Sequence, residues 1–164
     1  MLRRFLEYSE KEKLFGRGSK VLLAVSGGID SMVMAWLFWE TGIEHSIAHC
    51  NFSLRGSESD GDEEFVASWA KTNNIPFFST RFDTLTYAGT HRVSVQMAAR
   101  DLRYSWFRSL VRSGGFDAVA VAHNLNDNAE TFLINLVRGT GLSGLTGMSP
   151  HTGDIIRPLL FATG

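Results

Sequence analysis

Ser26-Gly27-Gly28-Ile29-Asp30-Ser31 combines the residue types needed to hold a polyphosphate. Its glycines permit positive φ and let a ligand approach the main chain closely. Ser26 and Ser31 add hydroxyl donors. A helix expected from about Asp30 to Thr41, closed by Gly42, would contribute unpaired N–H groups and the positive end of its dipole. A carboxylate inside such a cradle repels phosphate unless a cation intervenes, which points to Mg²⁺ shared between Asp30 and the phosphate oxygens. The segment fits neither the G-x-x-x-x-G-K-[ST] loop nor the G-x-G-x-x-G fingerprint. Spacing alone leaves a ligand-free glycine-rich turn as the bland alternative.

Further candidates lie downstream. His123 follows an apolar run and precedes a helix, an address where an imidazolium can stabilise charge on a phosphate or a neutral ring can accept a proton. Asp127 and Glu130 stand three apart, hence on one helix face. They form either an ordinary acidic first turn or a carboxylate pair for an ammonium group or a second Mg²⁺. Arg100 and Arg103 form one basic pair and Arg108 and Arg112 another; Arg100, beside two alanines that let backbones pack closely, is the better candidate for contacting phosphate. Cys50 reads as a core residue rather than a nucleophile.

These residues need a scaffold that delivers them to one edge. The apolar run Val21 to Val25 reads as a strand covered on both faces. Strands are also expected at Ile43 to Cys50, Ile75 to Phe82, Asp117 to Ala122 and Ile155 to Leu160. Helices are expected over Asp60 to Asn73, with Phe65, Val66, Trp69 and Ala70 inward, over Ser94 to Ser113, and over Asp127 to Arg138. An amphipathic helix before Lys20 would turn Phe5, Leu6 and Leu14 to one side, and Trp36, Trp39, Trp69 and Trp106 are expected in the core. This alternation predicts a parallel α/β sheet with right-handed crossovers and helices on both faces. Ligands then belong beyond the strands' carboxyl ends, where Ser26, His49-Cys50-Asn51 and His123 fall.

Composition sets the bounds. At 164 residues, 44% hydrophobic and 20% charged, the chain is expected to form a single domain. With 16 Lys+Arg against 17 Asp+Glu the net charge is −1, so no global attraction for nucleic acid or membrane exists. One cysteine excludes an internal disulfide and a Cys-rich metal site. The charged N-terminus lacks a signal-peptide core, and no apolar run approaches the ~20 residues of a membrane span. A cytoplasmic protein is expected.

The Ser26–Ser31 segment resembles the S-G-G-x-D-S PP-loop of the ATP pyrophosphatases. His49-Cys50-Asn51-Phe52-Ser53-Leu54-Arg55 with Ser59 and Asp62-Glu63 resembles the H-x-N-x-x-L-R…S…D-E stretch of the tRNA(Ile)-lysidine synthetases. Three later blocks are similar to theirs as well: Ala98 to Phe107, Ala122 to Thr131 with Arg138 to Met148, and Arg157-Pro158-Leu159-Leu160. Asn124 replaces the usual second histidine and Asn128 the usual glutamine. The resemblance implies an adenine nucleotide alpha-hydrolase-like, Rossmann-like PP-loop fold. It also implies ATP-dependent ligation of L-lysine to the wobble cytidine of an isoleucine tRNA. ATP would be bound by Ser26, Gly27, Gly28, Ile29, Asp30 and Ser31, with Asp30 also the Mg²⁺ ligand. Asp30, His123 and Arg100 would be catalytic, Asp127 and Glu130 would bind lysine, and Arg55, Arg103 and Arg138 would contact tRNA or phosphate. The chain is expected to be part of a longer protein with C-terminal tRNA-binding domains, and a homodimer is among its expected assemblies. The competing expectations are tRNA thiolation, which the single cysteine opposes, and a nucleotide-binding module without catalysis.

Overall fold

The computed structural model describes residues 1–137 and 147–163. Helix α1 (Leu2–Lys11) leads into β1 (Val21–Ala24), α2 (Ile29–Thr41), β2 (His45–Asn51), α3 (Ser57–Thr72) and β3 (Phe77–Arg81). Then follow α4 (Thr84–His91), α5 (Val95–Gly114), β4 (Ala118–Val121), α6 (Leu125–Val137), β5 (His151–Thr152) and β6 (Ile155–Ile156). The sheet order is β3-β2-β1-β4-β6-β5. All neighbours are parallel except β5 and β6, which form an antiparallel hairpin at the edge.

Alternation along β1 distributes the core. Val21, Leu23 and Val25 pack with Phe5, Met34, Leu37, Phe38, Val66 and Ala70 on one face. Leu22 packs with Phe107 and Phe116 on the other. Helices α1, α2 and α3 therefore cover one face and α5 the other. β1 sits centrally, with β2 on one side and β4 on the other. That divergence opens a crevice beyond the carboxyl ends of β1 and β4, the usual ligand position in such sheets.

Several expectations are corrected. The sheet is not wholly parallel, because the strand expected over Ile155 to Leu160 stops at Ile156 and pairs with β5 across a tight turn in which Gly153 has φ 58°. Helix α4 was not expected; the Asp83 side chain caps it by accepting from the Thr86 N–H. Leu6 and Phe65 are exposed, as are Trp36 and Trp39. Each lies off the buried stripe that Phe5, Val66 and Ala70, or Met34, Leu37 and Phe38, present from the same helices. Arg138 lies outside the described residues. So does the Gly139-x-Gly141-x-x-Gly144 spacing, which follows a helix rather than a strand and so is no dinucleotide fingerprint.

Candidate active site

The chain leaves β1 at Ala24 and turns through Ser26, Gly27 and Gly28 into α2. Gly27 takes φ 94°, a conformation that disfavours side chains. A Cβ there would also press to 3.3 Å from the Asp62 side chain. Hydrogen bonds close the loop: the Ser31 hydroxyl donates to the Gly28 carbonyl at 2.8 Å, the Gly28 N–H donates to Ser26 Oγ at 3.3 Å, and the Ser26 N–H donates to Ser31 Oγ at 3.2 Å. Gly28, the N-cap of α2, supplies no side-chain cap. The first turn of α2 thus presents backbone N–H groups without a side-chain acceptor, the requirement for an anion cradle.

The loop forms one wall of a cavity of 320 Å³ at the carboxyl ends of β1, β2 and β4. Ser26, Asp30, Ser31, Arg103 and His123 give it a polar rim, while Ala48, Phe107 and Val121 give it an apolar floor. An aromatic base and a polyphosphate need that division. Arg103 reaches in from α5, its guanidinium carbon 5.1 Å from the centre of the Phe52 ring. Tyr104 and Phe107 line the cavity from the same helix face, a grouping readable from their spacing.

Burial, and next the Arg157 charge, hold His123 below the ordinary imidazole pKa. Both act against the charged ring, so the neutral form is favoured at pH 7. Its Nδ1 is buried with no partner among the described residues. Cys50 also lines the cavity, but burial pushes its thiol up to about 12, so it is not a thiolate at neutral pH.

Asn124 ties α6 to the loop. Its Oδ1 accepts from the N–H groups of Asn126 at 2.8 Å and Asp127 at 3.1 Å, while Asp127 Oδ2 accepts from the Asn124 N–H at 2.9 Å. This is a reciprocal capping box. The Asn124 Nδ2 donates to Asp30 Oδ2 at 3.1 Å, across 94 residues of chain. Asp127 is therefore partly committed to capping, whereas Glu130 is exposed one turn on. The Asn128 side chain accepts from the Met148 N–H, tying α6 to the segment before β5.

Other candidates are spread around the cavity. Arg100 is not on its wall; it stacks on Tyr104 at 4.9 Å and faces a second groove. Arg55 pairs with Asp62 at 2.9 Å and Glu58 at 3.7 Å. His49 is buried and bonds the Val25 carbonyl through Nδ1 at 2.8 Å, bracing the end of β1. Among the described residues no cluster of three His, Cys, Asp or Glu could hold a metal ion. Asp30, with one oxygen engaged by Asn124, suits an ion that brings its other ligands with a polyphosphate.

Comparison with known proteins places this arrangement. The PP-loop domain family matches residues 2–163. The chain is similar to the tRNA(Ile)-lysidine synthase of Parabacteroides distasonis, 46% identical over 153 residues, covering 93% of this chain and 35% of that protein. The synthase of Porphyromonas gingivalis is 48% identical over 155 residues, covering 93% and 34%, and that of Chlorobaculum tepidum 45% over 162 residues, covering 96% and 49%. The chain thus spans a third to a half of the length of these relatives. Among solved structures, the U34-tRNA thiolase NcsA from Methanococcus maripaludis, with its [4Fe-4S] cluster, aligns with TM-score 0.69 at 22% identity over 94% of this chain and 59% of that one. An NMN synthetase from Francisella tularensis aligns with TM-score 0.61 at 17% identity, covering 96% and 65%. These two likenesses carry the fold alone. No described helix is long and apolar enough to cross a membrane.

Proposed function

The chain belongs to the PP-loop domain family, and on that premise we propose that it carries the ATP-dependent chemistry of lysidine formation on an isoleucine tRNA. The observation behind this reading is the single cavity in which the Ser26–Ser31 loop, Asp30, Arg103 and His123 meet above an apolar floor. Identities of 45–48% to tRNA(Ile)-lysidine synthases support the choice of substrate.

In the first step the carbonyl oxygen of the wobble cytidine attacks the α-phosphorus of ATP. The bond to the bridging oxygen of the β-phosphate breaks and pyrophosphate leaves. The loop N–H groups and the Arg103 guanidinium hold the phosphates and absorb the developing charge. Asp30 would hold Mg²⁺ carried by the nucleotide, which supplies further charge neutralisation when bound. In the second step the side-chain amine of lysine attacks the activated base carbon, and AMP departs with the former carbonyl oxygen. Neutral His123 can accept the proton that the amine must lose. Glu130, with the part of Asp127 not engaged in capping, would hold a lysine ammonium. Arg100 remains a candidate for the RNA backbone, whereas Arg55 is already neutralised by Asp62 and Glu58.

The test is pyrophosphate release from ATP, measured with and without lysine and the isoleucine tRNA. Release that requires the tRNA, with lysine entering the product, is expected. Sulfur incorporation instead of lysine would replace the reading with thiolation, a reaction for which the one cysteine, half-buried Cys50, is poorly suited. ATP binding without turnover would leave a binding module.

A further inference from the structure

We propose that the groove between α5 and the β5–β6 hairpin holds phosphodiesters of the RNA strand whose base enters the nucleotide cavity. The inference rests on the RNA-modifying reading above and adds to it a separate backbone site. The groove has a volume of 510 Å³ and carries Arg100, Arg108 and Arg157 on its walls. Tyr104 lines both this groove and the nucleotide cavity, so the two adjoin.

Charge is the first argument. Among the described residues none of these arginines has a carboxylate partner, and Asp101 is the one acidic residue on the wall. Gathering like charges around one groove costs electrostatic energy that a bound polyanion relieves. Geometry is the second. Arg157 is anchored by donating to the Ser149 carbonyl at 2.7 Å and to Thr152 Oγ1 at 3.1 Å. The Tyr104 ring steadies Arg100. Anchored guanidinium forks match phosphate oxygens, and the hydroxyls of Tyr87 and Ser105 add neutral donors on the same walls. The phosphates of ATP have their own cradle in the loop and the first turn of α2, which leaves this groove for the strand flanking the reacting base.

The probe is a labelled RNA hairpin with the anticodon arm of the isoleucine tRNA, titrated by anisotropy over a salt series. Wild type is compared with Arg108→Ala, Arg108→Glu and the control Arg112→Ala, which alters an exposed arginine of the same helix that does not line the groove. ATP affinity and thermal melting are read in parallel. Arg108→Ala is expected to weaken RNA several-fold and to flatten the salt slope by ~0.7, Arg108→Glu to weaken it further, and Arg112→Ala to do neither. RNA binding by wild type with unchanged affinity and slope in both Arg108 variants would overturn the groove assignment alone. A loss of ATP affinity equal to that of RNA would overturn it too, by assigning the groove to the nucleotide. Absence of RNA binding by wild type that still binds ATP would defeat the RNA-modifying reading and the groove with it.

Discussion

Two arginine neighbourhoods flank the nucleotide cavity, and they are built on opposite principles. On the α3–β3 side every guanidinium is matched. Arg55 meets Asp62 and Glu58, and Arg81 meets Asp60 at 2.8 Å and Glu63 at 3.0 Å. Asn51 joins the same network, donating to Asp60 at 3.0 Å and Glu63 at 2.9 Å. On the α5–β6 side Arg100, Arg103, Arg108 and Arg157 have no carboxylate partner among the described residues. A net charge of −1 conceals this division, because the acids are spent on one flank. The matched flank braces the loop, with Asp62 seated against Gly27. The unmatched flank keeps its cations without carboxylates among the described residues, as the proposed RNA site requires.

Asp30 stands between the two flanks, and changing it should give the largest effect. Asp30→Asn keeps the shape of the side chain and removes its charge. Pyrophosphate release by the complete enzyme should fall at least about a hundredfold, with the melting temperature unchanged, if Asp30 holds the metal. Near-normal release would remove the metal role and reduce Asp30 to a partner of Asn124.

If Asp127 and Glu130 hold lysine as proposed, changing them gives the next largest effect and divides one from the other. Loss of one charge-assisted bond costs ~1.5–3 kcal/mol, roughly a tenfold to hundredfold rise in KM. Glu130→Gln should raise the KM for lysine by that amount, leave that for ATP alone and leave stability intact, since Glu130 is exposed. Asp127→Ala should do the same and also destabilise the fold by about 1 kcal/mol, because it removes half of the capping box. Equal losses for lysine and ATP in both variants would reassign the pair to Mg²⁺.

Much of this organisation was legible in the sequence. The continuous apolar runs of β1 and β4 and the glycine-rich turn between β1 and α2 marked the sheet and its functional edge. Local signals failed where phase or pairing decided the outcome. The helical spacing of Trp36 and Trp39 within an apolar stretch predicts core positions, yet Met34, Leu37 and Phe38 occupy the inward phase of α2. Helix α4 buries only Thr84 and Ala88, so it lacks the apolar period that announces a helix. The link from Asn124 to Asp30 spans 94 residues and depends on two strands lying side by side. Asn124 was visible as a departure from the family pattern, but its partner was not. Pairing of Arg55 and Arg81 likewise follows from α3 packing beside β2 and β3.

Asn124 therefore merits a test that separates its two bonds. Asn124→Asp retains a good N-cap residue but sets a second carboxylate against Asp30. Its stability should stay close to wild type while turnover falls roughly tenfold, the size expected when a group orienting a metal-binding carboxylate is lost. Asn124→Ala loses the cap as well and should cost about 1–2 kcal/mol, a fall of roughly 2–4 °C in melting temperature per kcal/mol. Wild-type turnover in Asn124→Asp would show that the bond to Asp30 is incidental.

The smallest effect belongs to the matched flank, where Arg81→Ala probes what neutralisation contributes. Arg81 is 59% exposed, so each of its ion pairs is screened and is worth below about 1 kcal/mol at neutral pH. Its influence should be clearer in acid. Burial alone would raise the Glu63 carboxyl, but hydrogen bonds from Asn51 and Ser79 and the Arg81 charge outweigh it and hold the group below its ordinary 4.5. A carboxyl lowered on folding contributes stability that is fully present above the unfolded value and is lost as pH falls through the folded one. Removing Arg81 moves the folded value back toward 4.5 and shrinks that contribution. The stabilities of wild type and Arg81→Ala should therefore differ by a constant small amount above about pH 5 and converge as pH falls through the lowered folded value of Glu63. RNA affinity and its salt slope should not change, because this guanidinium is already neutralised. If Arg81→Ala instead flattened the salt slope as much as Arg108→Ala, both flanks would be meeting phosphate, and the division between a braced side and an open side would not hold.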